Sequence, residues 1–384
     1  MEQRPCPSCG KQVLDGIRVC PYCGHSIPAV VKSKSFLSGM TARKVIFAVL
    51  AFLAITQMIL IIMMMPKSCA RNQDNVTEQI ETGEHEADAG SGTIGKNNGK
   101  YSEVIAPEIP KLLEFCGEKM DFDRVDMAER LDRELTNTIY NYSNTSLIIK
   151  RANRYFPLLE KLLKANNIPV DMLYLAVAES SLGVNSVSPA GAVGLWQFMP
   201  STGKEYGLEI NDEVDERYDI EKETVAACKF LRKAYSEYHN WATVCTSFNA
   251  GMGGISKNLA EQLEENSLDL KLNSETSRYV FRIIAYKIFL QDPKKYGYRI
   301  TSDQLYNPIE YDIVEVSSEV PSWASWAKSH GINYMQLRDA NPWIRSTKLT
   351  NSLGNVYKVK IPKKESLYIS KTNKKVYNKN WVVD

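Results

Sequence analysis

The chain has 384 residues, 44% of them hydrophobic and 24% charged, with a formal net charge of +2. That length admits two or three domains with ample core. The charge balance excludes a whole-chain argument for a nucleic-acid partner, and none is expected.

The amino terminus reads CPSCGKQVLDGIRVCPYCG. Cys6 and Cys9, then Cys20 and Cys23, form two C-x2-C pairs, each followed by glycine. Two such knuckles complete a tetrahedral four-thiolate site for Zn²⁺, so residues 1–28 are expected to form a zinc ribbon whose folding free energy comes mainly from the metal. His25 is spare, because four thiolates already fill the shell. The alternative, a pair of disulfides, is disfavoured by the repeated C-P-x-C-G and by the reducing compartment that the topology implies.

Residues 45–65, VIFAVLAFLAITQMILIIMMM, carry no charge. About 20 apolar residues span a hydrocarbon core of about 30 Å, so this segment is expected to be a single transmembrane helix. Forty-four preceding residues are too many for the leader of a signal peptide. Lys32, Lys34, Arg43 and Lys44 precede the span, against Lys67 and Arg71 after it. The positive-inside rule therefore places the amino terminus inside and the rest outside. Cys69, just past the span, reads as a juxtamembrane thiol. Residues 66–102 are polar and rich in glycine and asparagine, the composition of a flexible tether.

Residues 103–300 read as an all-helical domain. SLIIKRANRYFPLLEKLLKANN has apolar residues at helical spacing, with Pro157 marking a kink or a new start. PVDMLYLAVAESSLG has Pro169 near a helix start and Gly183 as the expected cap. KETVAACKFLRKAYSEY and ETSRYVFRIIAYKIFLQ are further amphipathic helices. Cys228 and Cys245 lie among small apolar residues, which favours core packing over a disulfide. His239 and His330 stand without partners at ligand spacing and are assigned no role.

Residues 309–363 change in texture: strand-like YDIVEVSS, two short helices in SWASWAKSHG and NYMQLRDANP, then a second strand in NVYKVKIP. This is a βααβ module. The tail, 364–384, belongs to a stretch after Pro362 with six lysines against two acids, and reads as a solvated basic strip. The fold class is thus multidomain and mainly α, with a small ribbon at one end and a βααβ module at the other.

Glu179 ends an apolar helix in which MLYLAVA leaves no polar face. Desolvation and the negative end of the helix dipole both raise a carboxyl pKa there. A carboxylic acid kept protonated near neutrality can protonate a leaving-group oxygen. Soon afterwards comes SPAGAVGLWQFMPSTGKEYGL, where glycines permit close backbone approach and Trp196 and Gln197 can line a groove. Such a mixture beside one acid suits a carbohydrate.

AES followed by GLWQFMPSTG, then VDERYDIEKETVAACKFL, SFNAGMGGI and ETSRYV, occur in a fixed order. Residues 140–298 therefore resemble the family 1 lytic transglycosylases, which have a goose-type-lysozyme-like fold, and most closely their membrane-bound type D branch. The resemblance implies cleavage of the β-1,4 bond between N-acetylmuramic acid and N-acetylglucosamine in peptidoglycan, with a 1,6-anhydro end and no cofactor in catalysis. It implies that Glu179 is the single catalytic acid/base and that Ser180 orients it. Gln197, Phe198 and Met199 would form the groove wall, with Asn249 and Tyr279 as polar groups near the reacting sugar. Glu275, opening the last motif, is expected to be structural or to support the site from behind the residues that touch the sugar. Two positions depart from the family pattern: Phe248 lacks the hydroxyl of the usual tyrosine, and Tyr218 stands where arginine is common.

The βααβ module resembles a divergent LysM repeat without the usual Gly-Asp-Thr-Leu turn, for which glycan binding and simple packing both remain open. The span and its flanking charges, together with the glycan substrate, place such a chain in the bacterial cytoplasmic membrane, its amino terminus cytoplasmic and its catalytic domain extracytoplasmic or periplasmic. A cytosolic protein is the expected partner of the ribbon. A weak or inactive glycan-binding scaffold and a hydrolytic lysozyme are the competing readings.

Overall fold

The computed structural model describes residues 3–6, 8–14, 20–24, 26, 106–372 and 374–384. The chain divides into two compact units, Met1–Lys96 and Asn97–Asp384. The apolar segment 45–65 and the tether 66–102 lie outside the described residues. Among the described residues, no helix is long and apolar enough to cross a membrane.

In the first unit, β1 (Gln3–Pro5) pairs antiparallel with β2 (Gln12–Leu14), placing Arg4 opposite Val13. Gly10 and Gly24 each close a knuckle at φ 70°, a conformation that costs glycine no Cβ clash. Their amides donate to the carbonyls of Cys6 and Cys20. Only Cys6, Val13 and Cys20 form a buried cluster among the described residues. So small a core cannot hold a fold by hydrophobic burial alone.

The second unit opens with a hairpin that the helical reading did not anticipate: β3 (Leu112–Phe115) and β4 (Glu118–Asp121). Its two-residue turn has Cys116 at φ 55° and Gly117 at φ 83°. Two positive φ values match the twist of a tight hairpin. The helices α1 (Val125–Tyr140) and α2 (Tyr142–Ala165) follow. Pro157 neither splits nor starts α2 but sits inside it, between the buried Phe156 and Leu159. Core packing there offsets the missing amide donor.

After a short 3-10 turn comes α3 (Leu173–Ser180). Its cap is not Gly183: the helix ends at Ser181, and Ser181 and Leu182 both take left-handed φ, 53° and 58°. Gly183 is needed for space, since a Cβ there would strike the Ser186 hydroxyl. The remaining helices are α4 (Pro200–Glu205), α5 (Ile220–Tyr238), α6 (Trp241–Ala250), α7 (Met252–Gln262) and α8 (Ser274–Gln291). Trp196, Phe156, Phe281 and Phe289 are fully enclosed in the core they surround. Cys228 and Cys245 are free and buried, so the disulfide alternative does not hold for them.

The βααβ module forms as expected: β5 (Tyr311–Val316), α9 (Trp323–Ser329), α10 (Tyr334–Ala340) and β6 (Tyr357–Pro362). The strands are antiparallel, from Tyr311 opposite Pro362 to Val316 opposite Tyr357. Its core of Trp323, Leu337, Trp343 and Val359 continues into Val193, Val214 and Tyr218 of the helical domain. Backbone bonds cross the junction, from Asp215 to the Trp343 carbonyl (2.9 Å) and from Arg345 to the Glu213 carbonyl (2.8 Å). Tyr218 is buried in this junction, with the Arg345 guanidinium 4.1 Å above its ring. The module is docked, not tethered.

The tail is not a solvated strip. Its described lysines are exposed, but Trp381 is 2% exposed and joins the helical core with Val382. Trp381 Nε1 donates to the Leu290 carbonyl (2.6 Å), and the Tyr377 hydroxyl donates to Glu160 Oε2 (2.6 Å). Two apolar side chains decide the placement despite the charge around them.

Candidate active site

The last turn of α3 carries Glu179 out of a fully apolar environment, Leu173, Leu175, Ala176 and Val177 all being buried. The carboxyl reaches a cleft of about 390 Å³. Burial pushes the Glu179 carboxyl up to about 7; the Tyr279 hydroxyl and the Arg282 charge act against that rise, and Glu275 adds to it. Tyr279, from α8, is buried and donates its hydroxyl hydrogen to Glu179 Oε1. Its own hydroxyl is pushed well above the usual tyrosine range, first by burial and then by the Glu179 charge. It stays a donor.

The wall facing Glu179 is the Gly-Leu-Trp-Gln loop. Val193 and Phe198 exchange two backbone hydrogen bonds (3.1 and 3.0 Å) and pinch the four residues into a tight turn. Gly194 sits at φ 88°, where a Cβ would collide with the Arg217 carbonyl and the Glu223 carboxylate. Gln197, at φ 51°, folds its amide back onto the Gly194 and Ser186 carbonyls (2.8 and 3.2 Å). Phe248 packs edge-on against Trp196, Phe198 and Phe230, with ring centroids 6.3, 6.0 and 5.0 Å away. Asn249 uses Oδ1 to accept from Thr276 (3.0 Å), which leaves its amide hydrogens for a ligand.

Of the residues expected at the site, Glu179, Gln197, Phe198, Met199, Asn249 and Tyr279 line this one cleft. Ser180 does not. Its hydroxyl donates to the Leu195 carbonyl (3.0 Å), tying the end of α3 to the loop, with Ala176 a second acceptor at 3.3 Å. Glu275 stands exposed on the rim of the same cleft, and Arg282 lines it as well.

Two supports escaped the sequence reading. Glu223, fully buried, accepts the backbone amides of Leu195 and Trp196, both at 3.1 Å. Burial pushes its carboxyl well above the usual range, against the pull of those amides. Arg217 is held by Asp215 through Nε and Nη2 (3.0 and 2.7 Å), and its Nη1 donates to the Phe198 and Gly191 carbonyls, both at 3.1 Å. Both lie within VDERYDIEKETVAACKFL. The sequence offers no signal for the acid, since its partners are backbone amides 27 and 28 residues away.

In the first unit the Sγ atoms of Cys6, Cys9, Cys20 and Cys23 lie within 4.8 Å of one another. Cys6 and Cys23 are 3.8 Å apart, as are Cys9 and Cys20, and all four are free. The backbone amides of Cys9 and Ser8 lower the Cys6 thiol to about 6. A compact set of four soft donors fits a tetrahedral metal ion.

Comparison with known families identifies the modules. Residues 157–270 match the transglycosylase SLT domain, residues 312–365 the soluble lytic transglycosylase C-terminal LysM-like domain, and residues 6–27 a zinc-ribbon domain. Three stretches of the chain thus match family models: a zinc ribbon, an SLT domain and an LysM-like domain. Among curated proteins it is similar to membrane-bound lytic murein transglycosylase D of Escherichia coli strain K12, with 28% identity over 267 residues, 68% of this chain and 58% of that protein. It is also similar to a putative tributyltin chloride resistance protein of Alteromonas sp. strain M-1, 25% identical over 118 residues, 30% of this chain and 57% of that one. The chain thus spans a little over half the length of these relatives. Among solved structures, the 70 kDa soluble lytic transglycosylase of Escherichia coli aligns at 20% identity and a TM-score of 0.32, over 47% of this chain and 32% of the other. An inactive mutant of the lytic transglycosylase Slt of Pseudomonas aeruginosa aligns at 18% identity and a TM-score of 0.32, over 45% and 28%.

Proposed function

We propose that this chain is a peptidoglycan lytic transglycosylase that cleaves the β-1,4 bond between N-acetylmuramic acid and N-acetylglucosamine and leaves a 1,6-anhydromuramoyl end. One observation carries the reading: a carboxyl raised to about 7 opens into a polar and aromatic cleft and holds a hydrogen bond from a buried tyrosine. In its acid form Glu179 protonates the glycosidic oxygen. As a carboxylate it then takes the proton of the muramoyl C6 hydroxyl while that oxygen attacks C1. A glycosidase that uses water or a protein nucleophile needs a second carboxylate. Here the nucleophile belongs to the substrate, and an intramolecular attack lowers the barrier by up to about 7–11 kcal/mol. Gln197, Phe198, Met199 and Asn249 would hold the sugars, and Ser180 would position the acid through the loop.

The hydrolytic reading has one observation in its favour, the exposed Glu275 on the rim. Phe248 supports the inactive scaffold, because no hydroxyl stands at that position of the wall. Mass spectrometry of digested sacculi separates the three: anhydro-muropeptides, reducing-end muropeptides, or no release. Anhydro ends from the wild type support the proposal, and either other outcome removes it.

The remaining assignments belong to the same proposal. Cys6, Cys9, Cys20 and Cys23 bind Zn²⁺, and residues 45–65 anchor the chain in the cytoplasmic membrane with the ribbon inside and the SLT domain in the periplasm. The ribbon then offers a docking surface to a cytosolic protein; a zinc-dependent pull-down with the full chain that recovers none counts against that role. The docking of the LysM-like domain supports a packing role at its junction.

A further inference from the structure

A second cavity, of about 540 Å³, lies between α1 and α8. Glu134, Asn137, Asn141, Arg278, Arg282 and Tyr286 line it. Arg282 lines the catalytic cleft too, so the two hollows meet at one side chain. Arg278 and Arg282 stand one helical turn apart on α8, on the same face. Both approach Glu134 through Nε, at 2.6 and 3.6 Å, and Glu134 is only 3% exposed. The two arginine side chains remain 34% and 30% exposed. Arg133, outside the lining, also approaches Glu134 at 3.4 Å. Within the lining two cations face one carboxylate, which leaves the cavity net positive, and each fork keeps its terminal amino groups for a second acceptor. Such forks match the two oxygens of a carboxylate.

We propose that this cavity receives a carboxylate of the peptide stem carried by the muramoyl residue, and that Arg278 and Arg282 make the chain selective for peptide-bearing strands. This rests on the transglycosylase reading, which supplies the glycan in the adjoining cleft. The sugar hydroxyls and acetamido groups of the strand are neutral, so the stem carries the acidic groups that a double-arginine cavity discriminates. Asn137 and Asn141 add neutral donors for its amides.

The test compares three substrates: untreated sacculi, sacculi whose peptide carboxylates have been converted to amides, and strands freed of their peptides, which keep only a lactyl carboxylate. The wild type is expected to show a KM about tenfold lower on untreated sacculi than on the other two, as one charge-assisted contact implies. Arg278→Gln narrows that ratio toward one, whereas Arg278→Lys, a charge without a fork, keeps part of it. Asn137→Asp narrows it as well without touching the Glu134 pairing, which guards against a mere folding defect. Equal wild-type KM on all three substrates overturns the proposal, as does a proportionate loss on all three in Arg278→Gln. Peptide-free strands that behave like untreated sacculi overturn it too. Should the wild type release no anhydro ends from any substrate, the catalytic reading fails separately. Sedimentation of the Glu179→Gln protein with the three substrates then decides the cavity, with the same ordering expected.

Discussion

Tyr279 on α8 gives its hydroxyl hydrogen to Oε1 of Glu179 at the end of α3; the tyrosine is buried and the glutamate half-buried where it opens into the cleft. The contact favours the carboxylate, while the burial around it favours the acid. Their balance leaves the carboxyl near 7. A group used first as acid and then as base needs this intermediate affinity for a proton.

Removing one side of the balance shifts it predictably. Tyr279→Phe deletes the contact that lowers the Glu179 pKa, so the carboxyl rises further above 7. In a pH profile of kcat/KM, the wild type loses activity as the acid form disappears above about pH 7. The variant should lose it at higher pH, with a lower plateau by roughly 10- to 100-fold because the base step loses support. An unmoved midpoint contradicts the role given to this contact.

The same carboxyl makes a stability prediction of definite sign. Its folded pKa lies above the unfolded value, so the folded state binds the extra proton between about pH 4.5 and 7. The contribution is full below that window and is lost as pH rises through it. Glu179→Gln, which never ionises, should therefore be more stable than the wild type at pH 8 by about 1–3 kcal/mol, reduced from full burial by the water of the cleft. Denaturant titrations at pH 4.5 and 8 check this, and a variant that gains nothing at pH 8 contradicts it.

Glu223 and Gly194 form one device. Glu223→Ala leaves the Leu195 and Trp196 amides without their acceptor, at a cost of about 2–5 kcal/mol in the folded state. Gly194→Ala brings a methyl group against the Arg217 carbonyl and the same carboxylate, on a backbone that disfavours any side chain. Both should lower the melting temperature and reduce cleavage more than binding, because the wall opposite Glu179 moves. Wild-type melting in either contradicts the bracing role.

The docked module predicts that truncation is costly. Ending the chain at residue 308 exposes Val193, Val214 and Tyr218 and also removes Trp381 from the helical core. Trp381→Ala alone should cost about 3–5 kcal/mol, as large aromatic deletions do. A truncated chain that melts like the full one contradicts the shared core.

What was legible in the sequence follows physical range. Glu179 could be found because its apolar helix is local and its companions come in ordered motifs; those motifs converge on one cleft. Glu223 and Arg217 could not, because what they bind is backbone on a distant loop, which has no residue signature. The hairpin at Leu112–Asp121 was hidden by its turn, where Cys116 takes a positive φ usually given to asparagine or glycine. Trp381 was hidden by the lysines around it: composition averages over a segment, while burial is decided by single side chains.

The most direct measurement is the mass of the muropeptides released from purified sacculi by the wild type and by Glu179→Gln. The account predicts 1,6-anhydromuramoyl products from the wild type and none from the variant, which still folds and sediments with the sacculi. Reducing-end products, or undiminished release by the variant, contradict it.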